Sequence, residues 1–157
     1  MRVEILSEKE VQVLLTFLDT CPLRDNLMLR LMLQCGLRCG EVSLLNVEDV
    51  WRGGYVHPAV HLPRGTTKGH IARFVDIPGP IVPLIQKHIE LSGHSEYVPP
   101  GDRALFFGNK IRSRLGVSGI GRIVTGISLS CLGRAIHPHV LRHTYATILL
   151  KHTNIRV

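Results

Sequence analysis

Negative charge is in short supply in this chain: 12 Asp and Glu stand against 19 Lys and Arg, a formal charge of +7 and an isoelectric point near 9.7. That balance favours a polyanionic partner, most simply nucleic acid. Aromatic residues are also scarce, at four Phe, three Tyr and one Trp. Stacking on unpaired bases is therefore poorly supplied, and backbone contact with a duplex is the better fit. The four cysteines, Cys21, Cys35, Cys39 and Cys131, have no zinc-ligand spacing and read as reduced thiols, which sets aside a disulfide-stapled fold. No apolar run is long enough to span a bilayer, because the longest, Leu27 to Cys35, is broken by Arg30 and Gln34. The N-terminus lacks the apolar core of a signal peptide, so the cytoplasm is the expected compartment. Internal repeats and low-complexity tracts are absent too.

What remains is ordinary for a globular protein, 45% hydrophobic and 20% charged, and 157 residues suffice for one domain with a real core. Ser7 with Glu10 forms a capping box and Leu6 with Val11 a hydrophobic staple, predicting a helix over 8–19. Pro22 opens a second helix over 24–35, apolar nearly all round and stopped by Gly36. The stretch Gly36-Leu37-Arg38-Cys39-Gly40-Glu41 then opens a short third helix running to about Leu45. Arg38 stands at that corner, as a surface cap or as a cation supported at the floor of a cleft, with Glu41 placed to orient it. Strands are expected over 47–51, 55–62 and 71–77, with a turn at Gly53-Gly54 and a cationic hairpin tip at 64–70 carrying Lys68. Helices over 80–91 and 118–132 follow, separated by a loop over 94–102, an apolar anchor at 104–107 and a basic stretch. In that stretch Lys110, Arg112 and Arg114 suit phosphate contacts that position a duplex without reading its sequence, or a solvated basic loop.

The last helix carries the sharpest signal. Pro138 in its first turn costs no hydrogen bond, and residues from His139 to about Lys151 continue it. Leu141, Tyr145, Ile148 and Leu149 make an apolar stripe that must face a core. His139, Arg142 and His143 lie off that stripe within one turn. A five-donor guanidinium beside imidazoles suits a phosphate or similar oxyanion, although such a triplet can equally decorate a solvated face. A zinc-protease helix also spaces histidines like His139 and His143, but needs Glu where Val140 stands.

Three segments taken in order, Gly-Leu-Arg38-Cys-Gly-Glu41, then Lys68-Gly-His-Ile-Ala-Arg73-Phe-Val-Asp-Ile, then His139-Val-Leu-Arg142-His143-Thr-Tyr-Ala-Thr, strongly resemble the catalytic domain of tyrosine recombinases, the phage-integrase and Xer-like family. The resemblance runs from about Leu6 to the last residue. It implies a mainly α domain with a small three-stranded antiparallel sheet (α+β), occupying 1–157 as a single catalytic domain that lacks its C-terminal end and has no N-terminal core-binding domain. By the same resemblance Arg38, Lys68, His139 and Arg142 are catalytic, Glu41 supports the first arginine and His143 is mainly structural.

The family's reaction makes physical sense of these residue types. A tyrosine attacks a DNA phosphodiester, leaving a 3′-phosphotyrosyl bond and a free 5′-hydroxyl that later attacks another strand, so no metal or other cofactor is implied. Two arginines offset charge on the nonbridging oxygens of the transition state, His139 exchanges a proton or hydrogen-bonds the phosphate, and Lys68 protonates the departing oxygen. The nucleophile is missing from 1–157, since Tyr145 falls on the core-facing stripe and Tyr55 and Tyr97 match nothing catalytic. The expected partner is double-stranded DNA, with self-association on it and neither a membrane nor a small-molecule substrate. The rival expectation is a catalytically silent DNA-binding or partner-binding remnant of the same fold.

Overall fold

A computed structural model describes residues 2–63, 69–92, 103–109 and 113–152. It divides into two compact units, Met1–Cys39 with Ile120–Val157, and Gly40–Gly119.

The first unit is helical. Helix α1 spans Glu8–Leu18 and begins as expected: the Ser7 hydroxyl accepts the Glu10 N–H at 3.1 Å and the Glu10 carboxylate accepts the Ser7 N–H at 2.9 Å. Helix α2, Leu23–Gln34, buries seven of its twelve residues, Asn26 to Leu29 and Leu31 to Leu33. It packs on α1 and on the last helix, α6, Pro138–His152. Arg30 supports its outer edge, donating to Asn26, to the Leu15 carbonyl and to Asp19. Helix α5, Val117–Leu132, straddles the boundary between the units. From it the buried Ser128 accepts the Ile136 N–H at 3.0 Å, fixing the turn that leads to Pro138. Arg134 in that turn donates to Glu10 at 2.9 Å and also to Glu4, tying the turn to the start of α1.

The buried stripe of α6 sits about one position earlier than the expected one. Val140, Leu141 and Thr144 are buried, Tyr145 and Ile148 half-buried, and Leu149 is 45% exposed. Thr144 turns inward at little cost because its hydroxyl is fully used, accepting the Leu6 N–H at 2.9 Å and donating to the Val140 carbonyl at 2.7 Å.

The second unit carries helix α3 from Gly40 on (Cys39–Leu44) and the strands. The expected strand over 47–51 is instead a 3-10 turn, Val47–Asp49, because the Asp49 carboxylate accepts the Asn46 N–H at 2.9 Å and curls the chain. The expected three-stranded sheet is corrected to two two-stranded antiparallel sheets among the described residues. Strands β1, Trp51–Arg52, and β2, Tyr55–Val56, form one, joined by Gly53 and Gly54 at φ of 60° and 89°, the positive pair that a tight hairpin turn needs. Strands β3, Ala59–Leu62, and β4, Arg73–Asp76, form the other, with His61 opposite Phe74 and Leu62 opposite Arg73. The cause is Pro58, which has no N–H to offer a ladder and so divides the strand expected over 55–62 into β2 and β3. Its carbonyl still accepts the Ile77 N–H at 2.9 Å.

After a 3-10 turn at Gly79–Ile81, helix α4 spans Val82–Leu91 and buries Ile85, His88 and Ile89. The expected anchor at 104–107 is present, with Leu105 and Phe106 fully buried. The Leu105 N–H reaches the Leu45 carbonyl at 2.9 Å, and the Leu105 carbonyl meets a ring nitrogen of His88 at 2.7 Å. No helix among the described residues is long and apolar enough to cross a membrane.

Candidate phosphate-binding site

The site is built where α2 ends and α6 crosses it. Gly36 takes φ 70°, a left-handed conformation that costs a residue with a side chain, and so lets the Leu37 N–H turn back to the Leu31 carbonyl at 3.2 Å. Leu37 is fully buried and holds the corner from below, while Arg38, the next residue, is half-buried directly before α3. The Tyr145 ring of α6 lies on Gly36 so closely that a Cβ there would stand 2.3 Å from its Cδ1. Beside this ring-on-glycine contact, Arg142, three residues before Tyr145, donates through Nη1 to the Gly36 carbonyl at 2.5 Å. The second arginine of the expected set is thus tied to the main chain two residues before the first.

His139 sits one turn ahead of Arg142 on α6 and is exposed, as is His143 one turn behind it. Their rings meet edge to face with centroids 5.6 Å apart. On its other side His139 is stacked on His137, with centroids 5.6 Å apart and planes 12° from parallel. The His139 imidazole and the Arg142 guanidinium therefore lie within one turn of α6, donors suited to an oxyanion, with the rings of His137 and His143 packed around that of His139. Among the described residues no group of three His, Cys, Asp or Glu is arranged to hold a metal ion.

Glu41, in the second unit, is 1% exposed, and both its oxygens accept Arg73 Nη2 of β4, at 2.8 and 2.7 Å. A carboxylate so deeply buried requires a cation close by, and Arg73 supplies it. Arg114 is turned to the fold: Nη1 donates to the Ser43 and Leu45 carbonyls at 3.0 and 2.9 Å, and Nη2 to Asn46 Oδ1. Lys68, Lys110 and Arg112 lie outside the described residues.

Of the tyrosines, Tyr145 is packed against Gly36, Tyr55 is 79% exposed on β2, and Tyr97 lies outside the described residues. None of the four cysteines forms a disulfide. Burial pushes Cys35 up to about 12 and raises Cys39, so neither is a ready thiolate at neutral pH.

Sequence reasoning did not single out His137, Gly36 as a packing surface, or Arg73 as the partner of Glu41. His137 could have been noticed from its place two residues before His139 and directly before the helix-starting Pro138. Arg73 alternates with Ile71 and Val75 on what reads as the inward side of its strand, a position where an arginine calls for an acid.

Comparison with known proteins bears on the family and the fold. The phage integrase family model matches residues 4–157. A tyrosine recombinase of Pseudothermotoga lettingae is 36% identical over 156 residues, which cover 98% of this chain and 50% of that protein. The crystal structure of XerA recombinase superposes with a TM-score of 0.78 at 23% identity, covering 98% of this chain and 53% of that one. The XerH site-specific recombinase bound to its difH substrate in a pre-cleavage complex gives 0.76 at 21% identity, covering 97% and 44%. At these identities the solved structures speak for the fold. The chain spans about half the length of the curated relatives it matches.

Proposed function

Since this chain belongs to the phage integrase family, we propose that it binds duplex DNA through its phosphates and carries the phosphate-gripping part of a strand breaking-and-rejoining site. The observation that carries this reading is the Arg142 hydrogen bond to the Gly36 carbonyl, which brings the second arginine to the corner that bears the first. Two guanidiniums held there would neutralise the nonbridging oxygens of one phosphodiester and stabilise the charge that builds as the phosphorus becomes pentavalent. His139 would hydrogen-bond the phosphate or exchange a proton with the attacking hydroxyl. Lys68, carried over from the motif, would protonate the departing 5′ oxygen. Glu41 and His143 would act in support, and Lys110 and Arg112 would contact flanking phosphates. In this reading several copies assemble on the DNA, in the cytoplasm, and no metal or other cofactor takes part.

In the reaction the tyrosine oxygen bonds to phosphorus as the bond to the 5′ oxygen breaks, and the reverse step reseals a strand. None of Tyr55, Tyr97 and Tyr145 matches the nucleophile, and the packing of Tyr145 on Gly36 supports that reading. This chain alone is accordingly expected to grip DNA without cutting it.

The test is the salt dependence of binding to a short duplex. Arg38→Ala and Arg142→Ala should each weaken binding and lower the slope of log K against log salt by about one, the share of one phosphate contact. Unchanged affinity and slope in both variants would refute the phosphate grip. A nicked suicide duplex should give no covalent adduct, and an adduct would show that the nucleophile is one of the three tyrosines after all.

A further inference from the structure

The least explained feature of the site is the row of three imidazoles. His137 precedes α6, its carbonyl accepts the Val140 N–H at 3.0 Å, and its side chain is exposed. Its ring lies nearly parallel to that of His139, with planes 12° apart at a centroid separation of 5.6 Å, within the range of an offset stack. His143 closes the other side edge-on at 5.6 Å, with planes 74° apart. An exposed imidazole on a helix surface ordinarily samples several rotamers, and ordering it costs free energy when a ligand needs one of them. Here two neighbours approach the same ring from different directions, one through its face and one at right angles. The rings meet through faces and edges, a contact that serves orientation.

We propose that His137 is a positioning residue for His139: by stacking on it, His137 holds the His139 imidazole in the plane in which its ring nitrogen meets a DNA phosphate. This rests on the phosphate reading of the site and adds to it a residue that acts only through another. Pro138 contributes by fixing the backbone between the two rings, since its φ is locked and the helix starts there. What the stack needs from position 137 is a flat ring rather than a titrating one.

The prediction is therefore a rank order that capping or folding roles would not produce. His137→Ala should weaken binding to a short duplex by about two- to tenfold, the value of one ring pair, while His137→Phe, which keeps a flat ring, should stay near the parent protein. Both substitutions leave the main-chain bond to Val140 in place, so a loss common to the two would overturn the proposal. In a His139→Ala background, His137→Ala should cost nothing further. A persisting loss would mean that His137 touches DNA itself, which also overturns it.

Carbon–proton NMR of the ring supplies a readout independent of DNA. The His139 Hε1 signal should move on His137→Ala and be largely restored by His137→Phe, and an unmoved signal refutes the stack. If Arg142→Ala and His139→Ala leave duplex affinity unchanged, it is the phosphate reading that fails, and the ring signals still decide whether His137 sets the His139 ring.

Discussion

Replacing Gly36 with alanine tests the corner on which the site is built. The perturbation has two parts that add. A residue with a Cβ at φ 70° incurs about 1–2 kcal/mol of left-handed strain. Its methyl group would stand 2.3 and 2.4 Å from Tyr145 Cδ1 and Cε1, so the ring or the helix must move, an overpacking cost of about 1–3 kcal/mol. Together they predict a loss of about 2–5 kcal/mol, which for a chain of this length lowers the melting midpoint by very roughly 10 °C. Urea unfolding of Gly36→Ala with and without Tyr145→Ala separates the parts. In the Tyr145→Ala background the clash is gone, and only the left-handed strain of about 1–2 kcal/mol should remain. An equal cost in both backgrounds would refute the claim that α2 and α6 are held close by ring-on-glycine contact, and with it the account of how Arg142 reaches the Gly36 carbonyl.

Two further perturbations follow from the charge pairs. Arg134 holds the Glu10 carboxyl below its usual value, chiefly through their hydrogen bond, so the stabilisation is present above the unfolded pKa and is lost as pH falls through the lower folded one. NMR titration should show Glu10 ionising below 4.5 in the parent and returning toward that value in Arg134→Gln, and an unmoved midpoint would count against the pairing. Arg73→Ala takes the guanidinium away from a carboxylate that is 1% exposed and should cost about 3–5 kcal/mol in denaturant unfolding, whereas a neutral outcome would show that Glu41 does not depend on Arg73.

Helices were readable from local chemistry, because a capping box, a proline start and a glycine stop act within a turn of the residues that carry them. Helix α1 and the start of α6 at Pro138 illustrate this. The sheet was misread for an equally local reason whose effect was underweighted: Pro58 sits inside the run 55–62 that was expected to form one strand. The inward turn of Thr144 depends on Leu6, 138 residues away, and no periodicity in α6 announces it. The same distance separates what was legible of the site from what was not. His139, Arg142 and Arg38 stood out by residue type and order, but the bond from Arg142 to Gly36 spans 106 positions and the pair of Glu41 with Arg73 spans 32. Arg114 looked like one more outward cation in a basic stretch, and only the carbonyls of Ser43 and Leu45 reveal that it faces the protein.

The oxygen that steadies Arg142 belongs to the polypeptide itself, so every amino acid at position 36 would carry it. No side-chain exchange there can delete that acceptor, and it is lost only if the path of the chain shifts. Mutational scanning of this corner will therefore read out backbone course, and in the proposed phosphate grip the guanidinium would meet an incoming anion already aimed, with its conformational freedom surrendered during folding and not at the moment of encounter.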